Sequence, residues 1–413
     1  MANIMDYLDW RGDVPFSVDP FNEVDSLVLS EVSYVDFGGI VPGPDDEVQE
    51  DHLRMAGIPV VRLADAVRCF WDLHTDAEIE SSGTLYKLAP YVLNKLCSGA
   101  RFGDMLLGGY VNKISPEKNE QMSAITFFLS DESAFTAFRG TDDTLVGWKE
   151  DFTFSFMKET EGQKSAVEYL NRLYGQPGRA DGRPAEDAGQ EGDAGQEGDT
   201  GKAVPFSIHV GGHSKGGNFA VFASAFCDQD VKERIVRVYN NDGPGFLEEI
   251  TETKEYLEIV PKVISVIPTE SVFGLLLNSK YYYKMVKSSA KGIWQHDALS
   301  WQIMRNHFEE TGEVSEGSLL MKRIIEAWVY GMNLDERKDF VDSVFNLLED
   351  SGLESLSEIA AEQFRSIPEL IHAYRNLNLE EKQKLHETMS SLLKFGASFI
   401  SGELQEKIGR KKT

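Results

Sequence analysis

The spacing of hydrophobic positions changes character several times along the chain. Over residues 23–32 apolar side chains fall at 24, 27, 28 and 32, one face of a helix. Residues 62–73 and 85–96 carry the same period, so the stretch 51–99 is expected to be mostly helical. Past residue 100 short apolar runs take over. Residues 105–111, 124–129 and 133–138 predict strands, the last two joined as a hairpin across Asp131-Glu132. A helix is predicted from about 163 to 173. Strands follow at 206–210, 235–239, 263–267 and 281–286, with an apolar helix at 219–226 and a helical aromatic run at 301–306. Such alternation predicts an α/β fold with a mostly parallel central sheet covered on both faces. From about residue 318 no strand pattern remains. Asn333…Glu336 and Asn378…Glu381 have capping-box spacing, which predicts an α-helical C-terminal region.

This pattern divides the chain into an N-terminal, mostly helical region (1–99), a core (100–310) and a helical C-terminal region (311–413). Within the core, residues 174–203 hold the near-repeats Gly189-Gln190-Glu191-Gly192-Asp193 and Gly195-Gln196-Glu197-Gly198-Asp199. They lack the apolar side chains that offset ordering entropy, and are expected to form a disordered acidic insertion.

Composition removes several classes of function. A formal net charge of −27 excludes nucleic acid as a partner, and unaided docking on anionic membranes. Cys69, Cys97 and Cys227 lie far apart, which argues against a disulfide framework and a cysteine zinc site. No basic, apolar leader opens the chain, and no run reaches the roughly eighteen apolar residues of a transmembrane segment. The expectation is a soluble, cytoplasmic protein. No phosphate-binding or dinucleotide glycine pattern occurs, so no cofactor and no metal are expected.

The chemistry concentrates at Gly212-His213-Ser214-Lys215-Gly216-Gly217, between an apolar strand and an apolar helix. Strand, glycine-flanked serine and helix make the G-x-S-x-G nucleophile elbow, in which a Cβ at Gly212 or Gly216 would collide with neighbouring backbone. Ser214 needs a base. His296 follows the strand at 281–286, where that fold class carries its histidine. For the acid three carboxylates stand open: Glu270 first, Asp242 as the alternative, and Asp297, better suited to capping the next helix. An oxyanion needs donors. The Lys215 N–H supplies one, and the Phe138-Arg139-Gly140-Thr141 turn is the candidate for the second. Arg139 is expected to pair with Asp151 and fix that turn.

Phe138-Arg139-Gly140-Thr141…Gly147-Trp148-Lys149-Glu150-Asp151 resembles the F-R-G-[ST]…W-x-x-D block of class-3, fungal-type lipases, and residues 212–217 resemble their G-H-S-x-G-G elbow. From Leu8-Asp9-Trp10-Arg11-Gly12-Asp13 to Gln295-His296-Asp297 the chain looks like the Mbeg-like family of bacterial lipase-like proteins, most strongly over about 100–310. The resemblance implies an α/β-hydrolase with Ser214 as nucleophile, His296 as base, and Thr141 and Lys215 at the oxyanion hole. Two departures stand out: Lys215 where the lipases usually carry leucine, and glutamate at 270 where their acid is aspartate. The function expected is hydrolysis of a small-molecule or lipid-like acyl ester. The alternative is a catalytically inactive hydrolase fold that binds a ligand or partner.

Overall fold

Helices α1 (Ile4–Arg11) and α2 (Glu23–Val32) each begin at an asparagine cap closed into a capping box by the aspartate three residues on. The computed structural model describes residues 2–81, 87–142, 144–175 and 206–350, together with Lys382. Helix α2 has the bounds its periodicity predicts, yet all ten of its residues are buried, not one face alone. Its polar side chains are satisfied internally. Asp25 accepts from Arg101 and from the Tyr7 hydroxyl, and Ser26 accepts from Asn241. The Asp25 and Arg101 side chains are fully enclosed, so deleting either would strand the other charge at a cost of about 3–5 kcal/mol.

The stretch read as mostly helical also contains two strands, β1 (Arg54–Met55) and β2 (Ile58–Arg62). They turn through Ala56 and Gly57, both at positive φ (49° and 86°), a tight hairpin turn that the apolar spacing does not reveal. Helices α3 (Leu63–Leu73), α4 (Asp76–Ser81) and α5 (Ala89–Leu96) follow. Next come β3 (Leu106–Ser115), β4 (Glu120–Phe128) and β5 (Ser133–Phe138), then α6 (Leu145–Thr153) and α7 (Glu161–Tyr174). After them run β6 (Ser207–His213), α8 (Lys215–Phe226), α9 (Gln229–Arg234), β7 (Ile235–Asn241), α10 (Glu248–Thr251), α11 (Lys254–Ile259), β8 (Val263–Pro268) and β9 (Tyr283–Val286).

The nine strands lie side by side in chain order. Here the expectation of a mostly parallel sheet needs correction. Pairing is antiparallel from β1 to β5 and parallel only from β5 to β9. For β1–β2 and for β3 to β5 the cause is connection length: short turns link them, whereas parallel neighbours need a crossover. Because β5 to β9 advance in one direction, right-handed crossovers send α7, α8 and α11 to the same face. Their apolar side chains pack there with Phe138, Ile208, Val210 and Val238. The opposite face, with Phe135, Ala137, Tyr239 and Val266, is covered by α1, α2, α3 and α5. The N-terminal helices thus cover the face that the crossovers leave bare.

The run at 301–306 is a hairpin, not a helix: β10 (Ile303–Met304) pairs with β11 (His307–Phe308). Two helices then cross back, α12 (Glu316–Tyr330) and α13 (Leu334–Asp350). The capping box at the start of α13 is formed, with Asn333 N–H donating to Glu336 Oε2 (2.8 Å) and Glu336 N–H to Asn333 Oδ1 (3.0 Å). The box at Asn378 and nearly all of the acidic insertion lie outside the described residues. Among the described residues no helix is long and apolar enough to cross a membrane.

Candidate active site

Strand β6 delivers Ser214 to the carboxyl edge of the parallel half of the sheet, and α8 begins at the next residue. Ser214 sits at φ 57°, ψ −131°, a conformation that costs about 1–3 kcal/mol and persists only where surroundings enforce it. The enforcement is visible. Ser214 N–H is held by Asn241 O (2.9 Å), and a Cβ on Gly216 would stand 2.0 Å from Phe138 O. One on Gly212 would stand 2.3 Å from the carbonyl carbon of Gly216. The two flanking glycines therefore let strand and helix close on the serine.

His296 lies in the turn after β9, with its ring between two others, 4.6 Å from His213 and 4.3 Å from Phe273. His213 is fully buried, and its Nε2–H donates to the His296 carbonyl (2.8 Å), which leaves Nδ1 to accept from the Tyr34 hydroxyl (3.2 Å). Burial, and then the neighbouring His296, hold the His213 pKa well below the usual histidine value, so it stays a neutral brace. Glu31 of α2 lies 3.8 Å from the same ring, its pKa raised by burial and by Asp297.

The carboxylate on His296 is that of Asp242, not Glu270. Asp242 Oδ2 is 2.6 Å from His296 Nδ1, and its Oδ1 accepts from Ser271 Oγ (2.5 Å) and Gly274 N–H (3.2 Å). Asp242 is fully buried and at φ 55°, a left-handed turn at the end of β7 that brings its side chain inward. Glu270, the acid favoured from sequence order, serves the turn that carries the histidine. Its Oε2 accepts from Gly292 N–H (2.5 Å) and Gln295 Nε2 (2.9 Å). Asp297 Oδ1 accepts from Leu299 N–H (3.0 Å), a local cap.

On the other side of Ser214 lies the Gly140 turn, where an added Cβ would be 2.6 Å from His213 O and 3.1 Å from Ser214 Cβ. Thr141 is the next residue. Among the described residues, neither its backbone N–H nor that of Lys215 donates a hydrogen bond within the protein. Arg139 pairs with Asp142 (3.1 Å) and Asn112 (3.1 Å), and the expected pair with Asp151 is not what fixes the turn. Instead Asp151 Oδ2 accepts from the Thr141 hydroxyl. Sequence reasoning missed the Lys215 side chain, which runs under the turn to Glu150 Oε2 (3.2 Å), both groups fully enclosed. Its signal was a lone cation in an otherwise apolar helix, which requires a buried counter-charge. Glu150 also accepts from Gln121 N–H, Thr160 Oγ1 and Gly162 N–H, so the pair locks α6 and α7 to the start of α8.

Burial raises the Asp151 pKa to about 6, against the lowering pull of Lys215 and the Thr141 hydroxyl, and its buried Oδ1 has no hydrogen-bond partner among the described residues. A carboxyl pKa raised in the folded state contributes stability below the unfolded value of about 3.9 that is lost as pH rises through about 6. Asp151→Asn cannot ionise, so its melting temperature should gain on wild type more at pH 8 than at pH 5. Equal differences at the two pH values would contradict an elevated pKa.

A glycine-flanked serine between a parallel strand and a helix is the turn of lipase-like α/β-hydrolases, and the family comparison places the chain in that class. The chain belongs to the Mbeg1-like family. The Mbeg1-like match covers residues 96–346, so it extends past the core to take in α12 and most of α13. No curated protein matches this chain. In this Mbeg1-like protein a cavity of about 150 Å3 opens at Ser214 and Lys215, walled by Trp148, Phe152, Leu276 and Leu277 and covered by residues of α12.

Proposed function

We propose that this protein is a serine hydrolase that cleaves a carboxylic ester through an acyl-enzyme. Ser214 is the nucleophile, His296 the base and Asp242 the acid, with the N–H groups of Thr141 and Lys215 as oxyanion donors. The observation that carries the reading is the 2.6 Å contact of His296 Nδ1 with the buried Asp242, on a ring packed beside the strained Ser214 turn. That contact fixes the proton of neutral His296 on Nδ1 and leaves Nε2 to accept. In the first half-reaction Ser214 Oγ bonds to the carbonyl carbon as its proton passes to His296 Nε2. The negative carbonyl oxygen turns to the two N–H groups, whose lack of other partners among the described residues supports that role. Collapse breaks the ester C–O bond, and the alcohol leaves with the proton from His296. Water repeats the sequence on the acyl-serine and regenerates the enzyme.

The test is covalent. A fluorophosphonate probe should label the wild-type protein stoichiometrically, with the modified peptide containing Ser214, and denaturation should abolish labelling. A folded protein that stays unmodified would instead favour a hydrolase fold used for binding.

A further inference from the structure

The cavity at Ser214 has a roof that the sheet and its crossovers do not supply. Ile325, Val329 and Tyr330 of α12 close it from above, opposite Phe152 and Leu276. The roof is tied down at its C-terminal end and through α13, which follows it. Asn278 Nδ2 donates to the Tyr330 hydroxyl (3.0 Å), and Arg337 Nη1 donates to Ser155 O (2.5 Å). Phe340, Val341 and Phe345 of α13 are buried against Leu145 of α6. The space beneath it, about 150 Å3, is small. An apolar cavity of that size holds roughly six carbons, as a benzene ring, so a fatty chain of sixteen would have to displace its walls or leave most of its length in water. Its charged lining favours neutrality. The Lys215 ammonium is already paired with Glu150, and Glu326 on the roof with Lys322 (3.6 Å), which leaves Asp151 on the floor as the acidic group. An anionic chain end would meet the Asp151 carboxyl and a lysine whose charge is already matched.

From these observations we propose that the substrate is an ester of a short, uncharged acyl group of about four to eight carbons, with α12 setting the upper limit. This rests on Ser214 being the nucleophile. The cavity takes the acyl rather than the alcohol part, because the acyl group stays bonded to Ser214 through both half-reactions while the alcohol must leave. A small pocket under a tethered roof suits the part that remains.

Two ester series separate the possibilities. With p-nitrophenol as the constant leaving group and the acyl chain varied from two to sixteen carbons, kcat/KM should peak near six and fall at least about tenfold by twelve. Among acetates of alcohols of increasing length it should stay within about threefold. The monoanionic p-nitrophenyl half-ester of adipic acid should react at least about tenfold more slowly than the hexanoate. Val329→Ala and Ile325→Ala, each checked by thermal melting, enlarge the cavity and should raise the ratio of dodecanoate to hexanoate turnover about tenfold. Labelling of Ser214 by a small fluorophosphonate is measured in parallel. Normal labelling with an optimum at fourteen to eighteen carbons, or a chain-length dependence only in the alcohol series, overturns the proposal and leaves the nucleophile standing. Absence of labelling in the folded protein overturns both.

Discussion

Ser214→Ala is expected to lower kcat on p-nitrophenyl hexanoate by about a million-fold, roughly 8 kcal/mol of transition-state stabilisation, with little change in the melting temperature. The size follows from what is removed. Without Oγ there is no covalent route, and only the oxyanion donors and the apolar cavity still act on a water attack. His296→Ala should cost about as much, because an unactivated serine hydroxyl is a poor nucleophile. The double variant should then be no slower than either single one, since the two side chains perform one step. Loss that multiplies in the double variant would mean that they act independently, and would break the proposed pairing. Folding is a fair control here, because the strain at residue 214 is held by Asn241 O and by the close packing of Gly212 and Gly216, none of which needs the hydroxyl.

That packing also explains why the elbow is readable from sequence while the carboxylate on His296 is not. The contacts of a strand–turn–helix lie within a few residues, so the steric demand appears as local glycines. The bounds of α2 are readable for the same reason, through its periodicity and the Asn22–Asp25 capping box. Which carboxylate reaches His296 depends instead on a residue 54 positions away and on one backbone torsion. Sequence order favours Glu270, two residues past β8, but nothing in that order encodes the positive φ that turns Asp242 inward. The β1–β2 hairpin escapes for a related reason: its turn is only Ala56-Gly57, and Pro59 dilutes the strand signal. Full burial of α2 is likewise invisible locally. It follows from the one-sided crossovers of β5 to β9, a property of the assembled sheet.

Neutralising the proposed acid is the second large effect and the one that discriminates most sharply. Asp242→Asn should lower kcat by about ten-thousandfold, because an amide can present an N–H to Nδ1, favour the wrong imidazole tautomer and give no compensation to the imidazolium. Asp242 also ties Ser271 and Gly274 to the end of β7, so some loss of melting temperature is expected as well. Replacing Ser271 by alanine supplies the control, since it removes one of those ties without touching His296. If the rate loss came from a loosened loop, Ser271→Ala would share it; if it comes from the imidazole, Ser271→Ala should keep most of its activity. Glu270→Gln preserves an oxygen that can still accept from Gly292 N–H or Gln295 Nε2, so it should cost less than about tenfold. A thousandfold loss at Glu270 with Asp242→Asn near normal would return the acid to the position after β8. It would also require the turn at 292–296 to rearrange during turnover, because in this structure the Glu270 carboxylate braces that turn and the ring it carries rests on Asp242.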